Sequence, residues 1–279
     1  MATNSLKNIV WLASYPKSGN TWTRVFLANY LVGGETPVPI NQVHRVGIGD
    51  AIARTYQMVD KGRYDPSERQ RHLALREKVL KGIANNRADI NLVKTHNENG
   101  KAFGVPLILS RYTRAAVYIV RDPRDVAISY ARHYGLTPDK AAEALSRPDN
   151  SLSADAKNVA QYLGIWSRHV RNWVNARQFP VHTMRYEDMQ AEPHAAFTAL
   201  LEFLTIPVEA EKVDRAVRFS SFDELRAQED AKGFIERSDN SEKFFHSGTS
   251  GQWEGVLSDA ALETLYRANR DVMEKFGYL

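Results

Sequence analysis

Apolar positions along this chain switch between two rhythms: short β-branched runs of strand length, and longer stretches at helical spacing. Residues 9–13 read as a first strand and 21–31 as a first helix. Gly33, Gly34, Pro37 and Pro39 break that helix, and residues 35–64 read as irregular. Asp65-Pro66, an acidic N-cap with proline at the first helical position, predicts a helix running to about Asn85. Residues 89–95 read as a strand that ends at His96, residues 115–120 as another, and Asp122-Pro123 repeats the cap-and-proline signal. Val159, Tyr162, Ile165, Trp166, Val170 and Trp173 recur at helical spacing and read as a buried core face. A strand at 181–185, a helix at 192–204, a loop at 231–252 and a helix at 258–276 capped by Ser258 complete the pattern. This alternation predicts an α/β fold with a central parallel sheet flanked by helices. No repeat, low-complexity tract or linker interrupts the 279 residues, which read as a single domain, 1–279.

Composition narrows the class. Hydrophobic content of 43% and charged content of 25% suit a soluble chain with a sizeable core. A net charge of +4 suits an anionic ligand, without the dense basic runs of a nucleic-acid binder. The absence of cysteine excludes disulfides, thiolate nucleophiles and Cys-ligated zinc. The chain does not open on a signal-like segment, and no apolar stretch approaches the roughly 18 residues of a membrane span. A cytoplasmic location is the expectation.

The most chemically informative segment is Ser14-Tyr15-Pro16-Lys17-Ser18-Gly19-Asn20-Thr21-Trp22. It joins the first strand to the first helix, the arrangement in which a helix N-terminus receives a phosphate. Lys17 adds a point charge, Thr21 a hydroxyl and Trp22 a flat face for a base. A Walker A loop would end in Gly-Lys-Ser/Thr; here the lysine precedes Ser-Gly, so the motif is a different one. Tyr118 to Tyr130 repeats the strand–turn–helix logic. Arg121 stands at the strand end, where a guanidinium can clamp a phosphate, and Ser129 lies eight residues on. Arg124 and Asp125 read as surface charges and Asp122 as a cap. Between these segments, Lys94-Thr95-His96 ends a predicted strand, on the side where open α/β sheets bind ligands. His96 stands out for that position among eight histidines.

The first segment resembles the 5′-phosphosulfate loop of the cytosolic-type sulfotransferases, written Tyr-Pro-Lys-Ser-Gly-Thr-Thr-Trp, and departs from it at Asn20. The Arg121…Ser129 pair resembles that family's 3′-phosphate motif, and Lys94-Thr95-His96 its Lys-Thr-His segment. Tyr186-Glu187-Asp188-Met189 is similar to a segment whose tyrosine lies at the adenine; Tyr186 also reads as a core residue after a strand. Ser220-Ser221-Phe222 resembles a Thr-Ser-Phe segment that packs around the base. Phe245-His246-Ser247-Gly248-Thr249-Ser250-Gly251-Gln252-Trp253 resembles the Arg-Lys-Gly-x-x-Gly-x-Trp loop, with His246 and Ser247 where the family has two cations. The family's short dimer motif is not evident, since Glu254 stands at its lysine and Ser258-Asp259 at its Thr-Val pair, and the oligomeric state stays open.

The resemblance implies a P-loop-containing nucleotide-hydrolase-like fold and transfer of a sulfuryl group from 3′-phosphoadenosine 5′-phosphosulfate (PAPS), with PAP as product and no metal. The acceptor would be a hydroxyl, or less often an amine, of a small-molecule, lipid-like or natural-product partner. By the same resemblance His96 is the general base, Lys17 and Lys94 stabilise charge, and Ser129 restrains Lys17 until acceptor binds. Lys17, Ser18, Gly19, Asn20, Thr21, Trp22, Arg121, Ser129, Tyr186, Ser220, Phe222, Phe245, His246, Ser247 and Gly248 form the nucleotide site. The alternatives are a nucleotide-dependent kinase on a related fold and an inactive nucleotide sensor. The acceptor pocket is expected from residues 35–64, 97–106, 135–152 and 231–246, with Tyr56, Tyr64, Phe103, Tyr134 and Phe234 as aromatic lining or packing.

Overall fold

The computed structural model describes residues 7–62, 65–86 and 88–279; Tyr64 lies outside them. The first half of the chain lays down β1 (Ile9–Ser14), α1 (Asn20–Val32), a 3₁₀ turn (Ile40–Arg45), β2 (Ile48–Gly49), α2 (Ala53–Val59), α3 (Arg69–Ala84) and β3 (Asn91–Thr95). A small hairpin of β4 (Lys101–Ala102) and β5 (Val105–Pro106) precedes β6 (Thr113–Val120), α4 (Pro123–Tyr134) and α5 (Pro138–Leu145). A second two-stranded pair, β7 (Ser151–Leu152) and β8 (Gln161–Tyr162), leads to α6 (Trp166–Val174) and β9 (Val181–Arg185). The remainder is helical: α7 (Tyr186–Ala191), α8 (Pro193–Phe203), α9 (Ala210–Phe219), α10 (Phe222–Lys232) and α11 (Asp259–Lys275).

The main sheet has the order β2-β3-β1-β6-β9 and every pairing in it is parallel. Both faces are covered, so β1 is buried at all six positions. Its side chains still sort by the period of two. Ile9, Trp11 and Ala13 join a core with α3, α4, α5, α6 and α11, while Val10 and Leu12 join one with α1, α8 and α9. Because β1 lies between β3 and β6, the chain leaving these three strands delivers Lys17, His96 and Arg121 to one edge of the sheet.

Four expectations are revised, the first being the irregular stretch 35–64, whose described part holds the 3₁₀ turn, β2 and α2. Asp65 does not cap a helix: its carboxylate accepts from the N–H and hydroxyl of Ser67, an Asx turn, and α3 starts at Arg69. Of the 159–173 stripe only 166–173 is helical. Val159 donates its N–H to Ala51 O and Tyr162 accepts from Glu98 N, so tertiary pairing draws that stretch into extended backbone. Arg124 and Asp125 are buried rather than surface charges. Arg124 stacks 4.0 Å from the Trp253 ring, and Asp125 accepts from Gly251 N at 2.8 Å. Asp122 does cap α4, accepting from Arg124 N at 2.9 Å with Pro123 behind it.

Candidate active site

The loop after β1 bends through two left-handed residues, Lys17 at φ 69° and Gly19 at φ 105°. A Cβ on Gly19 would lie 2.8 Å from the Tyr186 ring, so both conformation and contact call for glycine there. No side chain caps α1, and its first N–H groups therefore face the loop as an anion-binding terminus. Asn20, the departure from the family pattern, ties this terminus down: its amide donates to Leu12 O at 2.8 Å and accepts from Arg24 Nε at 3.1 Å.

That second bond aims Arg24 at Glu236. Arg24 donates to both carboxylate oxygens at 2.9 and 2.7 Å, Thr21 Oγ1 to one at 3.3 Å, and Lys94 Nζ lies 3.3 Å from the same oxygen. Burial by itself would raise the Glu236 carboxyl, but Lys94 and Arg24 hold it well below the usual carboxylate range. Burial pushes Lys94 down despite this partner. Lys17 sits 3.6 Å above the Phe244 ring, and burial followed by repulsion from Lys94 lowers it to about 7.

His96 follows Lys94 and Thr95 off β3. Its Nδ1 lies 2.9 Å from Ser14 O, a carbonyl that can only accept, so Nδ1 carries the hydrogen and Nε2 is left with the lone pair. Burial, then Lys94, pushes its pKa well below the ordinary histidine value, which keeps the ring neutral. The backbone beneath is fixed from two sides. Asp50 accepts from Arg76, Thr95 and Asn97 at 2.6, 2.8 and 3.1 Å. His169, neutral because burial lowers it to about 4, donates from Nε2 to His96 O at 3.1 Å and accepts from Tyr118.

On the other side of Lys17, Arg121 donates to Lys17 O at 3.2 Å and to Thr249 O at 3.1 Å, with its guanidinium 4.2 Å from the Tyr186 ring. Its Nε, like Trp22 Nε1 and Ser18 Oγ, is buried without a partner. Gly248 packs directly on Phe222, and Tyr186 donates to Gly248 O at 3.3 Å. Glu229, at 5% exposure, fastens the neighbouring segment at both ends. Its backbone O accepts from Gly233 N at 2.7 Å, and its carboxylate accepts from Phe244 N and Phe245 N at 2.7 and 2.9 Å.

All the residues expected in the site line one cavity of about 1280 Å³, apart from Ser18, whose side chain is buried beside it. Ser220 lines it with its hydroxyl turned back to Val217 O. His246 is at the rim, largely exposed, and burial followed by Arg132 and Arg226 lowers its pKa. Among the expected pocket aromatics that the structure describes, only Tyr134 lines the cavity. Tyr56 is core, Phe103 is exposed at the tip of the β4–β5 hairpin, and Phe234 packs against Phe244 and Phe245. Segment 97–106 contributes nothing to the cavity wall, whereas residues 153–158, not singled out from the sequence, do. Glu236, Arg24 and Arg132 were also missed; Arg24 and Arg132 had local signals, their i+4 and i+3 spacings from Asn20 and Ser129 on helices. Among the described residues no group of three or more His, Asp or Glu side chains is placed to hold a metal ion, and no helix is long and apolar enough to cross a membrane.

Comparison with known proteins bears on the family and the fold. The chain is 24% identical over 270 residues to rat sulfotransferase 1 family member D1, covering 91% of this chain and 79% of the relative. It is 26% identical over 276 residues to rabbit amine sulfotransferase, covering 96% and 81%. Its fold matches retinol dehydratase in complex with androsterone and PAP, with a TM-score of 0.63 at 18% identity over 95% of this chain and 80% of that one. It also matches mouse sulfotransferase SULT7A1 complexed with PAP, at 0.62 and 19% over 98% and 89%. The model of the sulfotransferase domain matches residues 7–277, and the chain belongs to that family.

Proposed function

We propose that this sulfotransferase uses PAPS and transfers its sulfuryl group to a hydroxyl of a small apolar or ring-bearing acceptor, with His96 as the base. One observation carries the reading: a neutral histidine, oriented by Ser14 O so that Nε2 holds the lone pair, shares a cavity with Lys17 and Lys94. The residues fit the donor. The 5′ side already holds an anion, Glu236, on Thr21, Arg24 and Lys94, and the 3′ side has a buried guanidinium with an unpartnered Nε. When bound, PAPS supplies the sulfuryl group and a phosphate leaving group.

The roles of the residues follow from charge. His96 Nε2 accepts the acceptor's hydroxyl proton as the oxygen–sulfur bond forms. Lys17 neutralises the charge that grows on the bridging oxygen as the sulfur–oxygen bond to the 5′-phosphate breaks, and Lys94 stabilises the sulfuryl oxygens. Ser129, on α4 beside Arg121, holds Lys17 back until the acceptor arrives. Arg121, Ser129 and the loop around Gly248 receive the 3′-phosphate, with Trp22, Tyr186, Ser220 and Phe222 around the adenine. The acceptor enters past Tyr130, Tyr134, Leu136, Leu152 and Phe244, an apolar wall suited to a phenol, a lipid alcohol or a natural product. Structures of retinol dehydratase in complex with androsterone and with retinol fit that range, and the amine sulfotransferase relative adds amines to it. A cytoplasmic location accompanies this reading.

The test is turnover of labelled PAPS against a panel of phenols, alcohols and amines, with PAP binding measured in parallel. His96→Ala should abolish turnover and leave PAP affinity nearly intact. Collapse of PAP binding with high residual turnover would make His96 structural and end the proposal.

A further inference from the structure

The corner around Arg121 contains a second guanidinium to which nothing above gives a role. Arg132 lies on α4 three residues beyond Ser129, on the same helix face, and lines the same cavity as Ser129 and Arg121. It donates to Gln252 Oε1 at 2.8 Å; Gln252 Nε2 donates to Thr249 O at 2.6 Å; and Thr249 O also accepts from Arg121 at 3.1 Å. Two arginines on one wall thus grip the two ends of a single turn, Thr249 to Gln252.

Their partners are all neutral. Among the described residues neither Arg121 nor Arg132 has a carboxylate within ion-pair distance. The acids felt by Arg121 are Asp125, which is committed to the Gly251 amide, and Glu187, which is committed to Asp122 N and the Tyr278 hydroxyl. Burial followed by repulsion from Arg121 lowers the Arg132 pKa, as two cations on one wall with no carboxylate bonded to either would have it. Nearby, the His246 pKa is lowered, by partial burial and then by Arg132 and Arg226, and Ser247 carries no charge. Two converging guanidiniums with unfilled anion demand match a terminal phosphate dianion, which offers enough oxygens for both.

We infer that Arg132 is a nucleotide-binding residue of the 3′-phosphate corner, acting with Arg121 in place of the cations absent at 246 and 247. The inference rests on the donor reading above and adds a residue to it. PAP and AMP separate the two, because they differ only by the 3′-phosphate.

The experiment is calorimetric titration of wild type, Arg132→Ala, Arg132→Lys and Gln252→Ala with both nucleotides. Arg132→Ala should weaken PAP by at least about 10-fold, the loss of one charged partner, and AMP by less than about 3-fold. Arg132→Lys should recover most of the PAP affinity. Gln252→Ala, which removes the structural tie but keeps the cation, should bind PAP within about 3-fold of wild type. Equal losses for PAP and AMP in Arg132→Ala overturn the inference, as does a Gln252→Ala variant that reproduces the PAP defect. If Arg132→Ala does not fold, Arg132→Gln, which can still donate to Gln252 but carries no charge, decides it through the same PAP-to-AMP ratio. A wild type that binds PAP no better than AMP overturns the donor reading itself, and this inference with it.

Discussion

The two positively charged corners of the cavity handle their charge in opposite ways. At the ends of β1 and β3, Arg24, Thr21 and Lys94 converge on Glu236, so the cradle is compensated from within the chain. At the end of β6, Arg121 donates only to carbonyls while stacking on Tyr186, and Arg132 donates only to an amide oxygen. An anion entering the first corner replaces another anion, and its binding energy is the difference between the two. An anion entering the second displaces no carboxylate from either guanidinium and so keeps more of its gain. Discrimination by ligand charge is therefore expected at the Arg121 corner, and catalytic adjustment of charge at the Glu236 corner.

The sharpest way to break this comparison is Lys17→Ala. Lys17 belongs to the catalytic corner, and its loss should lower kcat by roughly 10²–10³. Near-normal kcat in a folded variant would remove that corner's assigned role. Arg121→Ala should instead weaken PAP by about 2 kcal/mol and leave adenosine 5′-phosphosulfate, which lacks the 3′-phosphate, far less affected. Equal losses would move Arg121 out of the discriminating corner.

Glu236→Gln probes compensation directly. It leaves Arg24 and Lys94 with a neutral acceptor, so the free protein should melt at a lower temperature. PAP, no longer competing with a carboxylate, should bind several-fold tighter and raise the melting temperature more than in wild type. Weaker PAP binding in this variant would show that Glu236 supports the donor rather than standing in its place.

The pH profile sharpens the comparison further. Free Lys17, lowered to about 7 by burial and Lys94, loses its proton as pH rises past that value, so kcat/KM should decline there. Donor phosphates favour the charged lysine, and the same limb in kcat should lie at higher pH. The acid limb, set by His96, should fall below the ordinary histidine value, because burial and Lys94 depress it. A limb at identical pH in both profiles would separate Lys17 from the donor.

The smallest effect is expected at His246. Its lowered pKa leaves it neutral above pH 7, so His246→Ala should change PAP affinity less than about two-fold there, with a difference emerging only toward acid. His246→Arg, charged throughout, should tighten PAP at every pH.

What the sequence made legible was what it encodes contiguously. Residues 14–22 and 121–129 each pair a strand end with a turn and a helix start, 94–96 closes a strand, and each local pattern specifies its own geometry. Glu236 shows the limit: it reaches Arg24 across 212 positions, from a segment with no periodic pattern. The cavity wall at 153–158 escaped notice for the same reason. Asp65 illustrates a different failure, where two local programmes competed and the Asx turn with Ser67 prevailed over the helix cap. Arg124 and Asp125 read as surface charges because their partners, Trp253 and Gly251, lie more than a hundred residues away.

The anchoring of the segment to Glu229 has a kinetic consequence. Residues 234–243 leave and rejoin the body at a single buried glutamate, through Gly233 N at one end and the Phe244 and Phe245 amides at the other. A loop with its ends fixed together is an Ω-loop in form, and it can lift without breaking any hydrogen bond of the main sheet. In hydrogen–deuterium exchange, these backbone amides should therefore open as one cooperative group, at a rate governed by the Glu236 contacts and well separated from the slow exchange of β1 and β6.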